Sequence, residues 1–206
     1  MHDFRVANGA TEILLIRHAD AQHPTTTAGV DIKEIDLPLS ARGREQAQRL
    51  AERLSTRTIG AIYASPLKRA METAAPLAEA LGIGVLADER LREVEIAHVG
   101  PVSLNDLAEI AILHGGWSHL PGTESSAAIR ERMQHAVDAI VQRHPAQRIA
   151  VVSHAGAINA YFAQLLALPK DFFFPAGNTS INTLRARNER RLVVTLNDTA
   201  HLERAT

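Results

Sequence analysis

The stretch Glu12-Ile-Leu-Leu-Ile-Arg17-His18 places a short run of apolar residues directly before two basic ones. A run of this length is typical of a strand buried on both faces, as in a parallel sheet. Ala61-Ile-Tyr-Ala64 and Arg148-Ile-Ala-Val-Val-Ser153 repeat the pattern further along the chain. All three runs are therefore predicted to be strands of one sheet.

The segments between the predicted strands have apolar residues three and four positions apart, which is the spacing of amphipathic helices. A weaker strand is predicted from Gly84 to Leu86, and two β-rich segments near the end of the chain predict a hairpin. Strands alternating with helices indicate the α/β class: a single domain with a mainly parallel central sheet and helices on both faces. Helices are predicted from Ser40 onward, from Leu67 to Leu81, from Ser103 to Leu113, from Thr123 onward and from about Ala157 to Leu168, and the hairpin from Ser180 to Arg185 and from Arg191 to Leu196.

The composition is that of an ordinary globular protein, with 206 residues of which 46% are apolar and 22% charged. A formal net charge of -1 provides no basic surface for nucleic acid or an anionic membrane, so neither is expected as a partner. The chain has no cysteine, which excludes disulfides, thiolate nucleophiles and cysteine-ligated zinc. Neither a signal peptide nor an apolar run of about 18 residues is found, and a cytoplasmic location is expected.

Two histidines and two arginines follow the carboxyl ends of the predicted strands. Arg17 and His18 end the first strand, Arg69 lies just beyond the second, and His154 follows the third. Ligands of open parallel sheets bind beyond these strand ends, so the four side chains are expected at one site. A neutral imidazole is a competent nucleophile, and a guanidinium pairs with phosphate oxygens. The set indicates phosphoryl transfer, although each residue taken singly also has an ordinary structural explanation.

The sequence resembles the histidine phosphatase superfamily, the phosphoglycerate mutase-like proteins. The similar stretches follow the order of the family and extend over nearly the whole chain. They are Leu15-Ile-Arg-His-Ala19, Asp36-Leu-Pro-Leu-Ser-Ala-Arg-Gly-Arg-Glu-Gln-Ala47, Tyr63-Ala-Ser-Pro-Leu-Lys-Arg-Ala-Met-Glu-Thr-Ala74, Leu91-Arg-Glu93, Pro121-Gly-Thr-Glu-Ser125, Val151-Val-Ser-His-Ala-Gly156 and Asn178-Thr-Ser-Ile-Asn182.

The resemblance implies a phosphoglycerate mutase-like fold over residues 1–206 and a site that uses neither a metal nor a cofactor. His18 would be phosphorylated, while Arg17, Arg69 and His154 hold the phosphoryl oxygens. Glu93 would match the proton donor of the family, so that His18, Glu93 and His154 form the catalytic set. Two departures bear on activity: Ala19 stands where the family usually has glycine, and the stretch after Glu93 lacks the glycine, acidic residue and tryptophan of many relatives.

The resemblance also implies that a segment at about 94–129, from Val94 to Ile129, covers the leaving group of the substrate. It contains no lysine or arginine, and its side chains are largely apolar. Because a buried anion without a partner is costly, we expect a small phosphorylated metabolite whose remaining part is neutral or apolar. The candidates for substrate contact in this cover are His98, His114 and Trp117. The alternative, that the apolar residues pack into the core as an ordinary helix, stays open.

Three other functions remain open at this stage. A phosphoglycerate mutase-type transferase shares the phosphohistidine and differs in returning the phosphoryl group to a bound acceptor. A catalytically weak regulatory protein would keep the fold and bind phosphorylated ligands. A metal hydrolase is disfavoured because the sequence has no HExxH motif and no metal-type cluster of histidines and carboxylates. The predicted hairpin offers a sheet edge for pairing, so a homodimer is compatible with the sequence.

Overall fold

The structure is a computed structural model that describes residues 9–22, 36–95, 111, 113–117 and 122–203. Its strands form one six-stranded sheet with the order β3-β2-β4-β1-β5-β6. The first four strands in that order are parallel, while β5 and β6 form an antiparallel hairpin beside β1. This confirms the mainly parallel sheet and the hairpin. The strands are β1 (Thr11–Arg17), β2 (Ala61–Ala64), β3 (Val85–Ala87), β4 (Arg148–Ser153), β5 (Ile181–Arg187) and β6 (Arg190–Asp198).

Helices cover both faces of the sheet, as predicted. On one face α1 and α2 pack over the parallel strands, and on the other α3 and α4 do so. Short 3₁₀ turns at Glu89–Leu91 and Ala200–Leu202 complete the described elements. The helices are α1 (Ala41–Ser55), α2 (Lys68–Leu81), α3 (Ser126–Arg143) and α4 (Ala155–Leu165).

The central strand β1 explains why its sequence is continuously apolar. Leu14 and Ile16 face the core formed with α1 and α2. Ile13 and Leu15 face the opposite core, formed with α3 and α4. Successive side chains of a strand point to opposite faces, so a strand between two helical layers needs apolar residues at both sets of positions.

The observed helix ends differ from the predicted ones where several polar residues compete for the cap. The helix expected from Thr123 begins at Ser126, because the Ser125 side chain accepts the Ala128 N–H and serves as the N-cap. The Thr123 hydroxyl instead donates to the Trp117 carbonyl at 2.9 Å. The helix expected from about Ala157 to Leu168 is α4, which starts earlier and ends earlier. The helix predicted from Ser103 to Leu113 lies almost wholly outside the described residues.

The outer strand β6 forms one edge of the sheet. Its residues Leu192 and Val194 are 61% and 43% exposed, which is high for large apolar side chains. Pairing of two copies along this edge, the homodimer expected above, stays a prediction. No described helix has the length and apolar composition needed to cross a membrane.

The start of α1 lies against the loop that follows His18. Ser40 caps the helix by accepting the Gly43 N–H at 3.0 Å, and its own N–H donates to the Asp20 carbonyl. A Cβ at Gly43 would lie 1.9 Å from that carbonyl oxygen. Only glycine therefore allows this approach, which fixes the loop beside His18.

We expect Gly43→Ala to destabilise the protein by about 1–3 kcal/mol, the usual cost of forcing extra volume into a packed site. Because the clash is with the Asp20 backbone, close to His18, phosphatase activity should fall as well. Chemical denaturation and steady-state kinetics would measure the two effects. Gly84→Ala is the control, since nothing lies within 4 Å of a Cβ there. Equal effects of the two substitutions would contradict the proposed contact.

Candidate active site

Three parallel strands end at one edge of the sheet and bring the predicted residues together. In the register of β1 with β4, Arg17 lies opposite Ser153. The ladder continues one residue further, since the His18 N–H donates to the Ser153 carbonyl and the Ser65 N–H to the Val152 carbonyl, both at 2.9 Å. The imidazole rings of His18 and His154 consequently lie 5.0 Å apart, centre to centre.

The hydrogen bonds of His18 define its tautomer. Nδ1 lies 2.7 Å from the Ala19 carbonyl oxygen, which can only accept, so Nδ1 bears the hydrogen. Nε2 is then an acceptor, and it receives the Nε–H of Arg69 at 3.3 Å. The lone pair of Nε2 is thus directed toward a guanidinium, which is where a phosphoryl group held by that guanidinium would lie.

The surroundings of His18 keep its imidazole neutral. Burial is the main reason that its pKa lies well below 6.5, and the positive charges of Arg69 and Arg17 lower it further. The hydrogen bond to Ala19 acts in the opposite direction and is outweighed. A neutral imidazole retains the lone pair that nucleophilic attack requires, so the lowered pKa favours the nucleophilic form.

His154 is fixed from one side only. It is fully buried, and its Nε2 lies 2.8 Å from the Ser65 hydroxyl. Its Nδ1 is a buried atom with no hydrogen-bond partner among the described residues. Burial, followed by the charge of Arg69, lowers the pKa of His154 well below 6.5. His154 can therefore donate a hydrogen bond through Nδ1 as a neutral ring, provided that Ser65 donates to Nε2.

The two arginines provide the positive charge of the site. Arg17 donates through Nη1 to the Ala176 carbonyl at 2.7 Å, whereas its buried Nε has no partner among the described residues. Burial lowers the pKa of both Arg17 and Arg69, and the carboxylate of Glu93 is the largest influence that raises each pKa. Buried donors without acceptors are rare in proteins. The Nε of Arg17 and the Nδ1 of His154 are therefore candidates for binding an anion.

Glu93 belongs to the same site, although it comes from a loop. Its carboxylate accepts the Gly156 N–H at 3.1 Å and the Ala157 N–H at 2.9 Å, in the first turn of α4. It also accepts the N–H of Val94 at 3.0 Å. The structure therefore brings together all five residues predicted to act on the phosphoryl group.

Several residues with no role assigned from the sequence also hold the site together. Thr73 donates to the Arg69 carbonyl at 2.6 Å and accepts the Ala19 N–H at 2.9 Å, so it joins α2 to the nucleophile loop. The Asn178 side chain donates to the His18 carbonyl at 3.2 Å. Ser65 directly follows β2, and Asn178 lies three residues before β5, which begins at the same edge of the sheet because it is antiparallel to β1. Their closeness to this edge was the sequence signal that could have identified both residues.

Comparison with known proteins agrees with this geometry. Residues 13–199 match the family model described as histidine phosphatase superfamily (branch 1). The chain belongs to the histidine phosphatase superfamily.

The relatives of this histidine phosphatase include a phosphatase and a probable mutase. Phosphoserine phosphatase 1 from Hydrogenobacter thermophilus is 30% identical over 200 residues, covering 93% of this chain and 94% of the relative. Probable phosphoglycerate mutase GpmB from Klebsiella pneumoniae is 31% identical over 169 residues, or 77% of this chain and 76% of the relative.

Solved structures of other members share the fold. YhfR from Bacillus stearothermophilus superimposes with a TM-score of 0.79 at 26% identity, covering 94% of this chain and 100% of that chain. Mycobacterial glucosyl-3-phosphoglycerate phosphatase, in complex with VO3, has a TM-score of 0.76 at 26% identity over 91% of this chain and 99% of that chain.

The alanine after the nucleophile is accommodated in this histidine phosphatase. Ala19 is fully buried and packs with Leu39 and Ala47 in a small apolar cluster. It is not among the residues with positive φ, so its backbone conformation does not require glycine. The extra methyl group therefore contributes to packing on the side of α1.

The predicted cover is only partly within the described residues. His98 lies outside them. His114 is exposed, whereas Trp117 is 8% exposed and packs edge-on against Phe172 with ring centres 5.7 Å apart. Trp117 thus occupies the position of a buried anchor, and contact of His98, His114 or Trp117 with substrate stays a prediction.

No group of three or more histidine or carboxylate side chains suited to a metal ion occurs within the described part of the chain. The positive charges that act on His18 are the guanidinium groups of Arg69 and Arg17.

The lowered pKa of His18 predicts the acid limb of the pH profile. Protonation of Nε2 would remove the nucleophile, and because the pKa lies well below 6.5, kcat/KM should stay constant as the pH falls from 7.5 to 6.5 and should decrease only below that range. Initial rates with phenyl phosphate, corrected for the ionisation of the substrate itself, would measure this. An enzyme inflection at or above 6.5 would contradict the neutral ring.

Proposed function

We propose that this protein hydrolyses phosphate monoesters of small molecules through a phosphohistidine on His18. The observation that supports this most directly is the direction of Nε2, which bears a lone pair and faces the Arg69 guanidinium at 3.3 Å. Nucleophile and phosphate-binding cation are thereby fixed before substrate arrives. Such preorganisation is a major source of catalysis in phosphoryl transfer.

In the proposed first step, Nε2 of His18 attacks phosphorus and the bond from phosphorus to the ester oxygen breaks. Arg17, Arg69 and Nδ1 of His154 bind the phosphoryl oxygens and stabilise the charge that spreads over them. Glu93 enters this step protonated and gives its proton to the departing oxygen, which leaves as an alcohol. The products of this step are phosphohistidine and an ionised Glu93.

In the second step the direction of proton transfer is reversed. Ionised Glu93 takes a proton from water, and the oxygen of that water attacks phosphorus. The bond between phosphorus and nitrogen breaks, which releases inorganic phosphate and regenerates neutral His18. The first-step proton donor serves as the base, as microscopic reversibility of the two half-reactions suggests. No metal takes part in this proposal, and the lack of cysteine fits action in a reducing compartment such as the cytoplasm.

We expect His18→Ala to abolish turnover, because no other side chain can accept the phosphoryl group from that position. Arg17→Ala and Arg69→Ala should each reduce kcat/KM on the order of 10²-fold or more, the effect of losing a preorganised charge. Release of phosphate from phenyl phosphate measures the rates, and acid-quenched labelling detects phosphohistidine in the unaltered enzyme. Full activity in a strong chelator is expected as well. Turnover by His18→Ala would overturn the mechanism.

The substrate is proposed to be a monophosphate whose remaining part is neutral or apolar. The support is the cover at 94–129, which contains no lysine or arginine. Two arginines flank this cover in sequence: Arg130 pairs with Asp171 at 2.6 Å, whereas Arg92, beside Glu93, is 36% exposed with Glu89 at 3.4 Å. Arg92 is the cation that a substrate carboxylate would use. Phosphoserine and glucosyl-3-phosphoglycerate, named in the relatives' descriptions, both contain such a carboxylate.

A panel of substrates distinguishes these possibilities. We expect a neutral alkyl phosphate to give a higher kcat/KM than O-phosphoserine, 3-phosphoglycerate or a sugar bisphosphate, which are also esters of aliphatic alcohols, because a second anion finds no cation in the cover. Preference for a carboxylate-bearing compound, reduced selectively by Arg92→Ala, would overturn the proposed substrate class. With 3-phosphoglycerate, the product also tests the mutase alternative that the similarity to GpmB favours. Free phosphate supports the phosphatase, and 2-phosphoglycerate the mutase.

A further inference from the structure

Arg132, on α3, uses its complete hydrogen-bonding capacity. A guanidinium has five N–H donors, and in Arg132 each has an acceptor. Nε and Nη2 donate to the two carboxylate oxygens of Glu124, at 2.6 and 2.7 Å. Nη1 donates to the carbonyls of Arg90 and Arg92, both at 2.8 Å, and Nη2 also donates to the Glu93 carbonyl at 3.0 Å.

The three carbonyls belong to the segment that bears the proposed proton donor. This segment runs from Arg90 to Glu95 and follows no regular hydrogen-bonding pattern after the turn Glu89–Leu91. Its carbonyls therefore need donors from elsewhere. Besides the three bonds from Arg132, the Ser153 hydroxyl donates to the Leu91 carbonyl at 2.8 Å, and the Glu124 N–H to the Glu95 carbonyl at 2.7 Å.

Glu124 offsets the free-energy cost of burying most of the Arg132 cation. The side chain of Arg132 is 21% exposed and that of Glu124 is 13% exposed, so the two charges neutralise each other in a region with little water. Their pairing through two parallel bonds also fixes the plane of the guanidinium. With its plane fixed, the remaining N–H groups point at the carbonyls. A lysine in this position could not form such a planar set.

We propose that Arg132, oriented by Glu124, is a positioning residue that sets the location of the Glu93 carboxyl relative to His18. This inference rests on the proposed function, in which Glu93 transfers the proton. The backbone of Glu93 is held by Arg132, while its carboxylate is held by the N–H groups of Gly156 and Ala157. Removal of the backbone contact would let the carboxyl move away from the leaving oxygen, and proton transfer requires hydrogen-bond reach.

A purely structural role for Arg132 would have a different consequence. Loss of stability or of general order would reduce hydrolysis of every substrate alike. Displacement of a proton donor reduces hydrolysis only where the leaving oxygen needs a proton. Alkyl phosphates have such poor leaving groups, whereas activated aryl phosphates leave readily as anions. The ratio of the two kcat/KM values therefore reports the position of the donor, since kcat/KM covers the steps up to formation of the phosphohistidine.

The experiment compares Arg132→Lys with Glu93→Gln and with Arg191→Lys. Arg191 is a matched control: its guanidinium pairs with Asp138 of α3 at 2.5 Å and donates to the carbonyls of Asn188 and Arg190, which lie outside the segment from Arg90 to Glu95. We expect Arg132→Lys to reduce kcat/KM for an alkyl phosphate by about tenfold or more and for p-nitrophenyl phosphate by no more than about twofold. Arg191→Lys should leave the ratio unchanged.

The double variant makes the test specific. If Arg132 acts through Glu93, adding Arg132→Lys to Glu93→Gln should change the ratio by no more than about twofold, because independent sites alone would give additive losses. Additive losses, or equal slowing of both substrates by Arg132→Lys, would overturn the inference. Equal slowing of both by Glu93→Gln would instead overturn the proton-donor role itself. Should Arg132→Lys fail to fold, Glu124→Gln decides, with the same selective loss expected.

Discussion

The register of the three central parallel strands is the constraint on which the site depends. Because Arg17 pairs with Ser153 and Ala64 with Val152, the strands β1, β2 and β4 end at the same level. Backbone hydrogen bonds that continue this ladder hold His18 and Ser65 just beyond the strand ends. A shift of β4 by one residue would turn all of its side chains to the opposite face of the sheet and separate the two imidazoles.

The site places two guanidinium cations beside two histidine rings that remain uncharged. Protonated histidines would add two more positive charges to a buried space, and burial together with the arginines keeps both rings neutral. Glu93 is the carboxylate that influences both arginines most strongly. A phosphate dianion is thus attracted by two fixed guanidinium groups, while the nucleophile remains uncharged.

Much of the fold and four of the five central residues could be predicted from the sequence, for a physical reason. Buried strands and amphipathic helices leave short-range patterns, and the edge where parallel strands end fixes where His18, Arg69 and His154 meet. Glu93 lies in an irregular loop without periodicity, so only the family resemblance identified it. The hydrogen bonds that hold the Glu93 loop could not be predicted from the sequence either, because the contacts of Arg132 with residues 90–93 connect segments far apart in the chain. The start of α3 was missed because Thr123 and Ser125 are both suitable caps, and the start of α4 because its N-cap His154 makes no side-chain capping bond.

The order of strands in the sheet has a consequence for synthesis of the protein. On the ribosome β1, β2 and β3 emerge first, yet β1 and β2 have no ladder between them, because β4 lies between the two. In the nascent chain no strand ladder therefore joins β1 to the pair β2–β3, and strand edges stay unpaired, until β4 has been translated. Such long-range pairing slows folding and leaves apolar edges open to aggregation. A chain truncated before residue 148, where β4 begins, would consequently be an incompletely folded substrate of chaperones and proteases rather than a smaller enzyme.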